Sequence, residues 1–128
     1  MYEKILRTIF RFDEYYEEDD LRNIAGISAN EPVADTYFHK TDCIWVISEI
    51  KRGRGNLMKA LRQLEVTAEK LLEKGRRVDI AAIIIRAFDD KEKRFFERGQ
   101  DFELFKKEKK RIKIKILGRI PVCIYYIR

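Results

Sequence analysis

The chain has 128 residues, which suits one domain with its own core and leaves no room for two. Hydrophobic residues make up 45% and charged residues 39%, and with a single histidine, His39, and two separated cysteines, Cys43 and Cys123, a zinc cluster is excluded. The net charge is +6, but residues 1–31 hold eight acidic and four basic side chains, so the rest holds 24 basic against 14 acidic, a body suited to a polyanion such as nucleic acid.

The opening Met1-Tyr2-Glu3-Lys4-Ile5 has no apolar signal-peptide core, and the longest apolar run, Ile80 to Ile85, is too short to span a bilayer. The expectation is an intracellular, cytoplasmic protein without a membrane segment. The abundance of Lys, Arg and Glu over Asn, Gln and Cys leans towards a thermophilic source.

In chain order, Ile5, Ile9, Phe12 and Tyr16 recur at helical spacing, with Leu6 and Phe10 widening the stripe. They predict a helix over 2–24, with a possible break at Glu17-Glu18-Asp19-Asp20. Residues 25–31 read as a loop. Val33 to Phe38 and Cys43 to Lys51 read as two strands joined by a polar hairpin loop, His39-Lys40-Thr41-Asp42. Leu57, Leu61, Leu64, Ala68, Leu71 and Leu72 mark one face of a helix over 57–74, with Asn56 as N-cap and Gly75 at its C-terminal end.

Val78 to Phe88 then has the continuous apolar pattern of a strand buried on both faces, parallel to 43–51 in a βαβ unit. Asp90 to about Lys110 is predicted helical, anchored by Phe95, Phe96, Phe102 and Phe105. Ile112, Ile114 and Ile116 alternate with Arg111, Lys113 and Lys115, Gly118-Arg119 turns, and Pro121 to Ile127 reads as the last strand.

The chemistry concentrates on Ile47-Ser48-Glu49-Ile50-Lys51. Residues two apart on a strand share a face, so Glu49 and Lys51 stand together, opposite Ile44, Val46 and Ile50. An apolar strand seldom carries charges without a partner or a task. Folding the hairpin brings Asp35 near residues 47–49, where facing side chains lie roughly 5 Å apart. Two carboxylates suit a hard divalent cation, Mg²⁺ or Mn²⁺, and Lys51 beside them suits an attacking water or a developing negative charge. The plain alternative is a cross-strand ion pair on a solvated sheet face. Trp45, on the same face as Ile47 and Glu49, is expected to pack under the site.

Asp35, then Glu49-Ile50-Lys51, a helix and an apolar strand resemble the PD-(D/E)XK nuclease superfamily, which includes archaeal Holliday-junction resolvases and RecB-like nucleases. The resemblance covers residues 1 to about 88. It implies an α/β fold in which a central mixed sheet is flanked by helices, with an αβββαβ restriction-endonuclease-like core filling the chain as one nuclease-like domain. It implies Asp35 and Glu49 as Mg²⁺ ligands, the Ile50 carbonyl as a further ligand, Lys51 as the catalytic lysine, DNA as substrate and a homodimer. Here Pro32-Val33-Ala34-Asp35 stands in place of an adjacent Pro-Asp. Glu3, Glu14 and Glu17 are candidates for a glutamate that many members carry on the first helix. Gln63 matches half of a Gln-x-x-x-Tyr signature, with Thr67 where the tyrosine would stand, and is a candidate catalytic residue.

Arg52 and Arg54, among glycines just after Lys51, suit phosphate contact, with Lys59 and Arg62 on the helix as further backbone contacts. Lys106 to Arg111, with Lys113 and Lys115, is the densest basic run; it suits a phosphate track or a guarded sheet edge. His39 reads as a loop residue, and Tyr125 and Tyr126 as packing residues. The alternative to a nuclease is an inactive nucleic-acid-binding module on the same fold.

Overall fold

The structure, a computed structural model, describes residues 2–52, 57–86, 103–106, 108–109 and 115–127, and the side chains of most of these. The elements are α1 (Glu3–Leu6), β1 (Phe12–Glu17), α2 (Glu18–Ala25), β2 (Thr36–Lys40), β3 (Ile44–Arg52), α3 (Leu57–Glu73), β4 (Ile80–Arg86), β5 (Glu103–Lys106), β6 (Glu108–Lys109), β7 (Lys115–Ile116) and β8 (Ile120–Ile127). They build a mixed α/β fold in which the strand order is β1-β2-β3-β4-β8-β5-β6, with β7 pairing β8 off that path.

The first three strands form an antiparallel meander, while β3, β4, β8 and β5 run parallel to one another. The parallel β3–α3–β4 unit expected from the sequence is present. Ala81 to Ile85 are all buried, as the unbroken apolar run requires of a strand with neighbours on both edges and cover on both faces. One face of the sheet packs Tyr37, Ile47, Ile83, Ile85 and Ile124 against Leu21 and Ala25 of α2 and Leu64, Ala68 and Leu71 of α3. The other packs Phe38, Val46, Ala82, Ile84 and Tyr125 against Leu6, Phe10 and Phe12. Ile83 sits in register with Glu49. Replacing it by alanine is expected to lower stability by about 2–5 kcal/mol, read by denaturant unfolding, because the close-packed sheet around it leaves a cavity.

Four expectations about the elements are corrected. The predicted helix over 2–24 is interrupted by β1, which pairs antiparallel with β2. The helical stripe there is a coincidence of spacing: Phe12 is buried on the α1 face, whereas Tyr16 packs on the opposite core and stacks on Tyr37, 6.0 Å between centroids. Aromatic residues favour a pleated surface, and pairing with β2 satisfies that preference. The first hairpin strand begins at Thr36 instead of Val33, and His39 and Lys40 belong to it.

The connecting turn is therefore Thr41-Asp42-Cys43, with Cys43 in the left-handed region at φ 64°. His39 is held on the strand by Asp13 at 2.7 Å and by Trp45, with ring centroids 4.8 Å apart. Residues 103–106 and 108–109, within the predicted helix of 90–110, are strands that pair with β8 and with each other. The remainder of that helix, residues 111–114 and the Asn56 cap lie outside the described residues.

Other local expectations match. Gly75 ends α3 at φ 72°, where the Arg76 N–H reaches the Leu71 carbonyl at 2.9 Å. Residues 117–119 form the turn into β8. Among the described residues, no helix is long and apolar enough to cross a membrane.

Candidate active site

The β2–β3 register, Thr36 opposite Ser48 and Tyr37 opposite Ile47, sets Asp35 beside Glu49 just past the last paired residues. There the two side chains take over from the backbone ladder. The Asp35 N–H donates to Glu49 Oε1 at 3.1 Å, and the Ile50 N–H donates to Asp35 Oδ2 at 2.7 Å. Each carboxylate thus closes the partner strand's unmet donor. The N–H and C=O of one strand residue point the same way, so the Ile50 carbonyl also faces the Asp35 side. Below them, on the α1 face, the buried hydroxyls of Thr36 and Ser48 share a hydrogen bond that ties the two strands together.

Glu49 is 2% exposed, which rules out an ion pair on a solvated face. It lies on the α3-covered face, with Ile47 two residues back on β3 and Ile83 beside it on β4. Lys51 Nζ stands 3.7 Å from Glu49 Oε2. Burial, then a hydrogen bond to Asp35 and the charge of Asp35, push the Glu49 carboxyl up to about 9, against the opposing pull of Lys51. Glu49 therefore holds its proton at neutral pH when no cation is present. Two carboxylates at this separation repel when both ionise, and a divalent cation is the natural replacement for the proton.

Among the described residues, no three His, Cys, Asp or Glu side chains form a metal-holding group. Two carboxylates with a carbonyl oxygen nevertheless fit Mg²⁺, which keeps several waters and is commonly held by one or two carboxylates plus substrate oxygens.

Residues that sequence reasoning did not single out complete the surroundings. The Tyr2 phenol is held above its usual value by the negative charge of Asp35 first, then by burial, Glu49, Glu18 and Glu17. Of the three candidate glutamates, Glu3 pairs with Arg7 at the surface, and Glu14 is exposed and accepts the Tyr16 hydroxyl at 3.2 Å. Glu17 lies nearest by register, opposite Thr36, and accepts the Tyr2 N–H at 2.9 Å and the Tyr15 hydroxyl at 2.7 Å. Tyr2 carried no motif, and its proximity follows from the strand β1 that the helical reading hid.

Thr67, marked in the sequence by the tyrosine it replaces, also supports the site. Its buried hydroxyl accepts the Ala34 N–H at 2.7 Å and donates to the Gln63 carbonyl at 2.7 Å, clamping the chain before Asp35 onto α3. A threonine on the apolar face of an amphipathic helix was the available signal. Thr67→Val keeps the shape and strands the Ala34 N–H. The expected loss is about 1–3 kcal/mol of stability in thermal or denaturant unfolding.

The remaining expected site residues divide. Gln63 lies on α3 one turn before Thr67, and its Oε1 is a buried oxygen with no hydrogen-bond partner among the described residues. Lys59 and Arg62 are exposed on the same helix. Trp45 does not pack under the site; it stacks on Tyr37, centroids 4.7 Å apart, near the opposite end of β3. Arg52 ends β3, its side chain lies outside what is described, and Arg54 lies outside the described residues.

Comparison with known proteins finds no matching family model, no matching curated protein and no matching solved structure.

Proposed function

We propose that the chain is a Mg²⁺-dependent nuclease that hydrolyses phosphodiester bonds in DNA, with Asp35, Glu49 and Lys51 as its working residues. One observation carries the reading: a buried Glu49 carboxyl, driven up to about 9, is held against Asp35 with Lys51 3.7 Å away. Perturbed carboxyls of this kind cluster at functional sites. Their position supports the same reading, since ligands in open α/β sheets bind outside the carboxyl ends of parallel strands. The order of a short helix, an antiparallel meander, α3 and β4 is similar to the αβββαβ core of the PD-(D/E)XK nucleases, with α2 added between β1 and β2.

Asp35, Glu49 and the Ile50 carbonyl would hold the cation. Once bound, Mg²⁺ would supply charge to a phosphoryl oxygen and make a coordinated water more acidic. The chain's own contribution is positional. The Ile50 N–H fixes the Asp35 carboxylate, and the Asp35 N–H fixes that of Glu49. Lys51, on the face of Glu49, orients the attacking water and offsets negative charge developing on the phosphate.

The test is incubation with branched, single-stranded and duplex DNA in Mg²⁺, Mn²⁺ or EDTA. Cleavage products are expected with either metal and none in EDTA. DNA affinity that is indifferent to the metal, with no product from any substrate, identifies a binding module instead.

A further inference from the structure

A cavity of about 400 Å³ opens on the segment that leads into Asp35, lined by Asn30, Glu31, Pro32, Lys59, Arg62 and Gln63. One wall is the 30–32 segment, and the other is the first two turns of α3. The cavity is tied to the carboxylate pair by covalent and hydrogen-bonded links. Pro32 stands three residues before Asp35, and the Thr67 clamp binds both the Gln63 carbonyl and the Ala34 N–H.

We infer that this cavity takes one unpaired nucleotide of a polynucleotide substrate, its base against Gln63 and its phosphate against Lys59 and Arg62. The inference rests on the nuclease reading for its chemistry. Three features of the lining carry it.

Gln63 Oε1 is buried with no hydrogen-bond partner among the described residues. A buried acceptor left unmet costs free energy, and an amide that shows an acceptor beside a donor matches the edge of a nucleobase. Lys59 and Arg62 are exposed cations on the same helix, suited to phosphate oxygens. Glu31 would oppose an anion, but its carboxylate is turned to the Ser28 N–H at 3.3 Å and hydroxyl at 3.1 Å, and lies 4.0 Å from Lys70. The volume falls low in the ~300–1,000 Å³ range of ligand sites, which admits one nucleotide and excludes a duplex. The Watson–Crick edge of every unpaired base offers a donor beside an acceptor, so the cavity selects strand state and not sequence.

The test is a binding titration in EDTA, where cleavage plays no part. Fluorescence anisotropy would follow a labelled single-stranded oligonucleotide and a blunt duplex of the same length, at fixed salt. The parent is expected to bind the single strand more tightly. Gln63→Leu and Arg62→Ala are expected to lose about tenfold in single-strand affinity while changing duplex affinity much less. Arg62 is exposed, so its variant keeps the readout valid if Gln63→Leu disturbs folding. Equal binding of single strand and duplex by the parent overturns the inference, as does parental single-strand affinity in the Arg62→Ala protein. A single-strand preference that depends on Arg62, found together with no cleavage in Mg²⁺ or Mn²⁺, sinks the nuclease reading and leaves the cavity assignment standing.

Discussion

Lys51→Ala and Asp35→Asn are each expected to lower the single-turnover rate of DNA cleavage in Mg²⁺ by about 10²–10³-fold, the usual cost of removing one preorganised charge from a reacting centre. The two losses have different origins. Asp35→Asn removes a negative cation ligand while its amide oxygen still accepts the Ile50 N–H, now held by Asp35 Oδ2 at 2.7 Å. Raising the Mg²⁺ concentration should therefore recover part of its rate. Lys51→Ala keeps both carboxylates and loses the ammonium 3.7 Å from Glu49 Oε2, so added metal should recover little.

Lys51 also opposes protonation of Glu49, so its loss should move the rise of activity to higher pH. The measurement is a rate against Mg²⁺ concentration and pH for the three proteins. Parental rates in both variants would remove Asp35 and Lys51 from the mechanism.

Glu49→Gln is expected to make the cation-free protein more stable at neutral pH while abolishing cleavage. A carboxyl raised from an ordinary value of 4.5 to about 9 holds its proton in the folded state and loses it in the unfolded one. Its stabilising contribution is complete below 4.5 and is lost as pH rises towards about 9. The slope in that window is about 1.4 kcal/mol per pH unit for one fully linked proton, or on the order of 3 kcal/mol between pH 5.5 and 8.

Glutamine at 49 has no proton to lose. It still offers an oxygen to the Asp35 N–H, and its amide donates where the Glu49 proton stood. Unfolding in EDTA across that pH range should show the parent declining relative to the variant; parallel curves would mean that Glu49 does not hold a proton. In Mg²⁺ the parent should regain stability, because the cation binds only the folded, deprotonated pair. The variant should gain much less. The same linkage makes cation affinity rise with pH up to about 9, with a proton released on binding.

The sequence was legible where a pattern has one physical solution. An unbroken run such as Ile80 to Ile85 is stable only with both faces covered, and the leucine stripe of α3 only against a sheet, so the βαβ unit follows from periodicity. Asp35 and Glu49 come together because antiparallel register follows from a short turn, and a turn that starts two residues and ends one residue later than expected sets them side by side. The N-terminal region departs from its helical expectation because Ile5, Ile9, Phe12 and Tyr16 fit a helix and a broken helix–strand segment equally well. The choice depends on whether a neighbouring strand offers hydrogen bonds, and β2 does.

The residues alone were enough to identify the charged pair on β3, the partner carboxylate across the hairpin and the basic character of the body, since these depend on side-chain chemistry and local spacing. Folding in three dimensions settled what no spacing encodes. Glu49 is buried and proton-holding, Tyr2 is tied to Glu17 at the end of β1, and Thr67 clamps the approach to Asp35. Desolvation and long-range contacts are properties of the packed sheet and its covering helices. They arise between residues far apart in the chain, and no local pattern carries them.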